Sequence, residues 1–151
     1  MNLFFDSSAL VKRYVNEIGS AWVGKTVDSA SGNKIFIAEI TVVEIMAAIA
    51  RRTRGHPAAA TNAAFAKLQY DVNAEYINLE LTSALLQDAQ VLARKYFLRG
   101  YDAVQLAVAL QFNREQLAAG LPVITLVSAD AELLDAAQTE GLLVENPNHH
   151  P

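Results

Sequence analysis

The chain has 151 residues, of which 52% are hydrophobic and 19% charged, a balance that is typical of one folded domain and excludes a disordered chain. It contains no cysteine, which excludes disulfides, thiolate metal sites and a thiol nucleophile. The net charge of −4 argues against a broadly basic surface for nucleic acid, although the basic residues are concentrated in the first half of the chain.

Short β-like runs alternate with helical runs along the sequence. Strands are predicted at 3–5, 34–38, 76–79, 122–127 and 142–145. Helical spacing covers 7–16, 20–30, 41–54, 57–73, 81–97, 102–118 and 131–140. The repeated βα pattern predicts an α/β fold with a central, mostly parallel sheet of about five strands and helices on both faces. We expect a single domain over residues 1–146 and a flexible tail at 147–151.

Neither a membrane segment nor a leader is indicated by the apolar runs. None of them reaches the roughly 18 residues that cross a bilayer. The opening MNLFF lacks the basic stretch and the long apolar segment of a signal peptide. A cytoplasmic protein without membrane contact is therefore expected.

Four carboxylates occupy related positions in this pattern. Asp6 directly follows the strand LFF, and Asp130 follows VITLVSA, with Ser128 two residues before it. Glu44 lies one turn into the helix after KIFIA, and Asp102 opens a helix that is apolar on almost every side. Because ligands of parallel α/β sheets bind outside the carboxyl ends of the strands, acids at these positions indicate a site.

Helix capping is the alternative explanation for each of these acids. Thr41 with Glu44, and Asp102 with Gln105, have the spacing of capping boxes. Asp6 and Asp130 are good N-cap residues, although neighbouring serines (Ser7, Ser8 and Ser128) are equally able to cap. Taken singly, no acid distinguishes capping from function.

Taken together, four acids at one end of a sheet would repel one another strongly. At 4 Å, two unit charges interact by ~4 kcal/mol at an effective dielectric of 20. A divalent cation removes this repulsion, and oxygen ligands without cysteine or a usable histidine favour Mg²⁺ or Mn²⁺. Such a site is suited to phosphodiester chemistry without a protein nucleophile.

The segments FFDSSALVKRYVNEIGS, TVVEIMAAI, LRGYDAVQLAVAL and LVSADAELLDAA, in this order, resemble the PIN domain, in particular the VapC-like toxins of toxin-antitoxin modules. The resemblance runs from Met1 to about residue 146. It implies a Mg²⁺- or Mn²⁺-dependent endoribonuclease on a PIN-like α/β/α sandwich. It also implies a homodimer inhibited by a small antitoxin protein, and an RNA substrate that is single-stranded or in a loop.

On the family's pattern, Asp6, Glu44, Asp102 and Asp130 are the metal-binding and catalytic acids, and Ser128 matches the catalytic hydroxyl position before the last of them. Ser7 matches the small hydroxyl residue after the first acid. A stand-alone RNA-processing PIN nuclease would have the same pattern, so the sequence does not decide between it and a toxin.

Functions from other classes remain as alternatives. A phosphotransferase of the haloacid dehalogenase type expects a second Asp two residues after the first, where Ser8 stands. A receiver-type signalling module expects an acidic pair near the first strand and a late Lys, and LVSAD supplies no Lys. A non-catalytic α/β binding module, with the acids as helix caps, fits the sequence less well.

Other polar residues receive no catalytic role. The cluster Arg51, Arg52 and Arg54 either complements a helix dipole or contacts phosphate. We expect Glu80 to be a cap or surface acid at the edge of the sheet. The three histidines are expected to be solvated, because no nucleophile or acid has a spacing relation to them (His56, His149 and His150).

Overall fold

Residues 1–150, which the structure, a computed structural model, describes, contain a central sheet of five parallel strands. The strands are β1 (Asn2–Phe5), β2 (Lys34–Ala38), β3 (Tyr76–Leu79), β4 (Thr125–Val127) and β5 (Leu143–Glu145). Their order across the sheet is β3-β2-β1-β4-β5. The chain therefore runs from β1 through β2 to the edge strand β3, and then crosses to the other side of β1 to form β4 and the second edge strand, β5.

Helices cover both faces of this sheet, as the βα pattern predicts. They are α1 (Ser7–Leu10), α2 (Ser20–Thr26), α3 (Glu39–Arg52), α4 (Ala58–Ala74), α5 (Ser83–Tyr96), α6 (Gly100–Ala118) and α7 (Ala131–Thr139). Two hydrophobic cores form, one between the sheet and α1–α4, and the other between the sheet and α5–α7. The α/β/α sandwich expected from the sequence is confirmed.

Alternation along the strands divides their side chains between the two cores. In β1, Leu3 and Phe5 face the core of α1–α4, whereas Phe4 faces that of α5–α7. In β2, Ile35 and Phe36 divide in the same way. This two-residue period is the reason that nearly continuous apolar runs can be strands buried on both faces.

The carboxyl ends of β1 and β4 lie side by side at the point where the strand order reverses. Val127 pairs with Phe5, and the backbone N–H of Asp6 donates to the Val127 carbonyl over 3.1 Å. In open parallel sheets this reversal leaves a crevice between the two connections. The fold therefore brings the segments that begin at Asp6 and Ser128 to one crevice.

A second buried polar cluster lies away from that crevice, under α4. Asp71 is 1% exposed and accepts hydrogen bonds from the Tyr14 hydroxyl (3.0 Å) and the Lys67 ammonium (2.5 Å). The Arg13 guanidinium lies 3.6 Å from the same carboxylate, and Tyr14 also contacts the Tyr76 hydroxyl at 2.8 Å. This cluster joins the segment after α1 to α4 and β3. No spacing in the sequence indicates it, because its members come from three separate segments.

Residues 147–150, for which the sequence predicts a flexible tail, pack against α2 instead of extending into solvent. A short 3-10 turn at Pro147–His149 buries Pro147. The ring of His150 stacks on Trp22 with centroids 4.7 Å apart, and its Nε2 lies 3.0 Å from Glu145. His150, predicted to be solvated, keeps 38% of its side chain exposed, and the rest is covered by these contacts. Pro151 lies outside the described residues.

The remaining expectations for the surface agree with the structure. Glu80 is exposed at the end of the edge strand β3, and His56 and His149 are exposed. No helix in residues 1–150 is both long enough and apolar enough to cross a membrane.

Candidate active site

Asp6 lies at the bottom of the crevice between β1 and β4. Its side chain caps α1, because the backbone N–H of Ala9 donates to Oδ1 over 3.0 Å. The residue is only 1% exposed. Capping therefore explains the orientation of Asp6, but it does not explain why a carboxylate is buried here when Ser or Asn caps equally well.

Ser8 joins the two strands that form the crevice. Its hydroxyl oxygen lies 2.9 Å from each oxygen of the Asp6 carboxylate, to which it donates, and it accepts the backbone N–H of Ala129 over 2.9 Å. The Ser128 hydroxyl is 3.2 Å away and accepts the backbone N–H of Asp130 over 3.0 Å. The two serines hold the segments after β1 and β4 in a fixed relation around Asp6.

Glu44 is held by a residue that comes from the opposite layer of the sandwich. The side-chain amide of Gln105, on α6, donates to Glu44 Oε2 over 2.7 Å and to Thr41 Oγ1 over 2.9 Å. The proposed Thr41–Glu44 capping box is wrong, because α3 begins at Glu39 and its N-cap is Ala38. Gln105, 1% exposed, thus positions the carboxylate of Glu44 instead.

Asp102 is not the N-cap of its helix either. α6 begins at Gly100 with Arg99 as the N-cap, so Asp102 is the third helical residue. Its predicted capping box with Gln105 is wrong, because the Gln105 amide points to α3. A first-turn acid still suits the helix dipole, but the cap explanation for Asp102 fails.

Asp130 caps α7 through one carboxylate oxygen. The backbone N–H of Leu133 donates to Oδ1 over 3.0 Å. The capping explanation is thus correct for Asp6 and Asp130 and wrong for Glu44 and Asp102. Since a carboxylate has two oxygens, capping through Oδ1 is compatible with a further role for the other oxygen.

The electrostatics of the acids show that they share one region. The pKa of Asp6 is raised to about 7, mainly by burial and to a smaller extent by the charge of Asp102, against the lowering hydrogen bonds of Ala9, Ser8 and Ser128. Burial also raises the pKa of Glu44, to which Asp102 again contributes. The pKa of Asp102 itself is raised by burial and then by the charge of Asp130. Asp102 is therefore the acid whose charge links the other three.

This set of acids fits a hard divalent cation that retains part of its water shell. In residues 1–150, no three Asp, Glu or His side chains converge closely enough to hold an ion together by direct bonds. Mg²⁺ commonly keeps several waters and is bound through one or two carboxylates. Acids that raise one another's pKa, with oxygen as the only donor atom, match that type of binding.

A groove of about 530 Å³ runs along one face of α3, and of the four acids Glu44 lines it. Ser7 and Glu44 line one part of it, and Arg51 and Arg52 line another. Tyr101, 60% exposed, also lines the groove. The arginine pair, whose role the sequence left open, thus lines the same groove as Glu44, and it lies in the last turn of α3.

Three residues of this site were missed or misassigned from the sequence: Ser8, Thr41 and Gln105. Apart from the bond of Ser8 to Asp6, their hydrogen bonds join residues 61 to 121 positions apart, which local spacing does not reveal. One signal was present for Gln105, which is the single polar residue between Val104 and Leu110 on a buried helix. A lone buried amide needs a hydrogen-bond partner.

Comparison with known proteins gives relatives of similar length. Ribonuclease VapC45 of Mycobacterium tuberculosis (strain CDC 1551 / Oshkosh) is 32% identical over 143 residues, which cover 94% of this chain and 93% of that protein. The crystal structure of Mycobacterium tuberculosis VapC20, described as a Sarcin-Ricin loop cleaving toxin, is 16% identical with a TM-score of 0.64, covering 93% of this chain and 96% of that chain. The crystal structure of FitAcB from Neisseria gonorrhoeae is 14% identical with a TM-score of 0.63, covering 99% of both chains.

The two solved structures show that the fold is shared, and the sequence match is more specific. The family model of the PIN domain matches residues 3–139, which contain all four acids. The chain therefore belongs to the PIN domain family.

Proposed function

We propose that this protein is an endoribonuclease that hydrolyses RNA phosphodiester bonds with Mg²⁺ or Mn²⁺ bound at its acidic site. The observation that carries the proposal is the burial of the Asp6 carboxylate at the β1–β4 crevice, where the charge of Asp102 contributes to its raised pKa. A structural cap would not need a buried charge there. Membership of the PIN family and 32% identity to a ribonuclease support the same activity.

Asp6, Glu44, Asp102 and Asp130 are the residues that would hold the ion. A divalent ion, when bound, supplies Lewis-acid activation of water and neutralisation of phosphate charge. The protein's contribution is to keep these carboxylates in place before substrate arrives, which lowers the cost of reorganisation.

Three of the four carboxylates have a positioning group. Ser8 and the N-terminus of α1 hold Asp6, and Gln105 holds Glu44. We assign Ser128 to the positioning of the segment that carries Asp130, through its hydrogen bond to that residue's backbone.

The proposed substrate is single-stranded RNA or an RNA loop. The groove that Glu44 lines is open, and the exposed aromatic ring of Tyr101 lines it as well. Unpaired bases can stack on such a ring, whereas bases inside a duplex cannot reach it.

We further propose that the protein is the toxin of a toxin-antitoxin pair, a cytoplasmic homodimer inhibited by a small antitoxin. Beside the groove, α3 exposes Val43 (62%) and Met46 (40%), apolar side chains that suit a protein partner. A stand-alone RNA-processing enzyme of the same family is the second candidate. The exposed apolar side chains favour the toxin over it, because a stand-alone enzyme needs no protein partner to cover them.

The proposal is tested with purified protein freed of any inhibitor. We expect cleavage of single-stranded RNA with Mg²⁺ or Mn²⁺, loss of cleavage in EDTA, and recovery with excess Mn²⁺. Full activity in chelator, once a contaminating nuclease is excluded by an Asp102→Asn preparation, would contradict metal-dependent catalysis. Binding of metal without any cleavage would favour a non-catalytic binding module.

A further inference from the structure

A buried lysine lies on the wall of the groove that Glu44 lines. Lys12 is in the 3-10 turn that follows α1, and its side chain is only 5% exposed. Its ammonium group donates to Glu17 Oε2 over 3.2 Å. A buried lysine is costly unless it is paired, so its place on the groove wall calls for an explanation.

Glu17 joins this lysine to Arg52 at the end of α3. The second carboxylate oxygen of Glu17, Oε1, forms a salt bridge with Arg52 Nη2. The Glu17 backbone N–H donates to Ser20 Oγ over 2.8 Å, which fixes the residue at the start of α2. One carboxylate therefore lies between two cations, which leaves a local excess of positive charge.

The two cations line the same groove as Glu44 and Ser7. Glu44 and Arg52 are eight residues apart on α3, which corresponds to about 12 Å along the helix axis at ~1.5 Å per residue. An extended RNA strand of a few nucleotides spans this distance. The groove thus has Glu44, one of the four candidate metal-binding acids, at one place and the two cations further along.

We propose that Lys12 and Arg52 form a phosphate-binding subsite for the RNA backbone, and that the Glu17 carboxylate occupies it in the free protein. This inference rests on the proposed ribonuclease function and adds a binding site for a phosphate that is not the one being cleaved. Arginine is well suited to exchanging a carboxylate for a phosphate, because its planar guanidinium donates paired hydrogen bonds to either group. Arg52 is 42% exposed on its side chain and can reach an incoming strand, whereas Lys12 stays fixed.

RNA fits this end of the groove better than a protein partner does. Both cations are oriented by one anionic group, and phosphates are the anionic groups that recur along an RNA strand. The part of the groove that Glu44 lines would receive the phosphate to be cut.

The test is the affinity of a short fluorescent single-stranded RNA for the full-length protein in EDTA, measured by anisotropy over a range of salt. Arg52→Gln should weaken binding by roughly three- to tenfold, as expected for one charged contact. It should also reduce the slope of log K against log salt by about 0.7, the value for one phosphate on a single strand. Arg94→Gln is the matched control, because Arg94 is an exposed arginine on α5, on the opposite face of the sheet.

Glu17→Gln separates a phosphate subsite from a simple structural brace. Removing the competing carboxylate should tighten RNA binding severalfold, while thermal unfolding checks that the variant is folded. Weaker binding by Glu17→Gln, or equal effects of Arg52→Gln and Arg94→Gln, would overturn the proposal and leave the groove to a protein partner.

Cleavage in Mn²⁺ is measured on the same preparations, so that the two proposals can fail separately. Normal cleavage with no specific effect of Arg52→Gln on affinity or salt slope would contradict only the subsite. Absence of cleavage by a wild-type protein whose RNA affinity depends on Arg52 would contradict only the nuclease function. A wild-type protein that binds no RNA would contradict both.

Discussion

The replacement Asp6→Asn should stabilise the metal-free protein, and the gain should depend on pH. Asp6 is almost fully buried, and its pKa rises from 3.8 to about 7 on folding, mainly because burial disfavours the charged form. Between these two values the unfolded chain has lost the proton and the folded chain keeps it. Stability of the wild type therefore falls as the pH rises from about 4 to about 7, and it levels off above that.

The size of this effect follows from the difference between the two pKa values. At ~1.36 kcal/mol per pKa unit, a difference of about 3 corresponds to about 4 kcal/mol above pH 7. Asn keeps the cap to Ala9 but accepts the Ser8 hydroxyl on one oxygen only, so the expected gain is reduced to about 2 to 4 kcal/mol. In a chain of this length, each kcal/mol raises the melting temperature by roughly 2–4 °C.

The assay is urea unfolding in EDTA at about pH 4, near the unfolded pKa, and at about pH 8. We expect the two proteins to differ little at the lower pH and Asn to be the more stable at the higher pH. Asp28→Asn is the matched control, because Asp28 also caps a helical turn but is exposed. An advantage of Asn that is equal at both pH values, or no advantage at pH 8, would refute the argument that the buried charge destabilises the apo fold.

Three further outcomes follow from the contacts of the site and of the second polar cluster. Gln105→Leu should lower the cleavage rate by about tenfold or more, because Glu44 loses the amide that positions it. Single-turnover kinetics at saturating Mn²⁺ measure this rate, and an unchanged rate would contradict the positioning role. Mg²⁺ affinity should rise roughly tenfold between pH 6 and pH 8, because Asp6 must lose its proton to bind the ion. Calorimetric titration measures the affinity, and an affinity that does not depend on pH would argue against Asp6 as a ligand. Asp71→Asn should cost roughly 1–3 kcal/mol of stability by weakening the contacts to Tyr14, and it should leave RNA cleavage unchanged. Denaturation and activity assays on one preparation check both expectations, and a matching loss of activity would connect that cluster to the site.

The sequence predicted the fold well because hydrophobic periodicity determines which segments are strands and helices. Element ends were less well predicted where tertiary contacts replace local ones. The strand predicted over 122–127 begins at Thr125, because the backbone N–H of Ile124 bonds to the side chain of Asn113 rather than to a neighbouring strand. The helix predicted from residue 41 begins at Glu39 without any side-chain cap.

The site was predictable only to the level of its acids. Their positions after strands or in buried helices are visible in one sequence. Which acids also cap helices was not predictable, because Thr41 and Gln105 have the local spacing of capping residues and yet bond to each other across the sandwich. The pairing of Ser8 with Ala129 and Ser128 likewise depends on β1 and β4 being neighbours, which no local pattern specifies.

The most direct test of the central claim compares wild type and Asp102→Asn in Mn²⁺-dependent cleavage of single-stranded RNA, with thermal unfolding of the same preparations. Asp102 does not cap α6, and its charge acts on the other acids, so the amide should leave the fold intact. Loss of a metal-holding carboxylate should lower cleavage by on the order of 10²-fold or more, at ~1.4 kcal/mol per tenfold. A folded variant with near-normal cleavage would contradict the assignment of the four acids to a catalytic metal site.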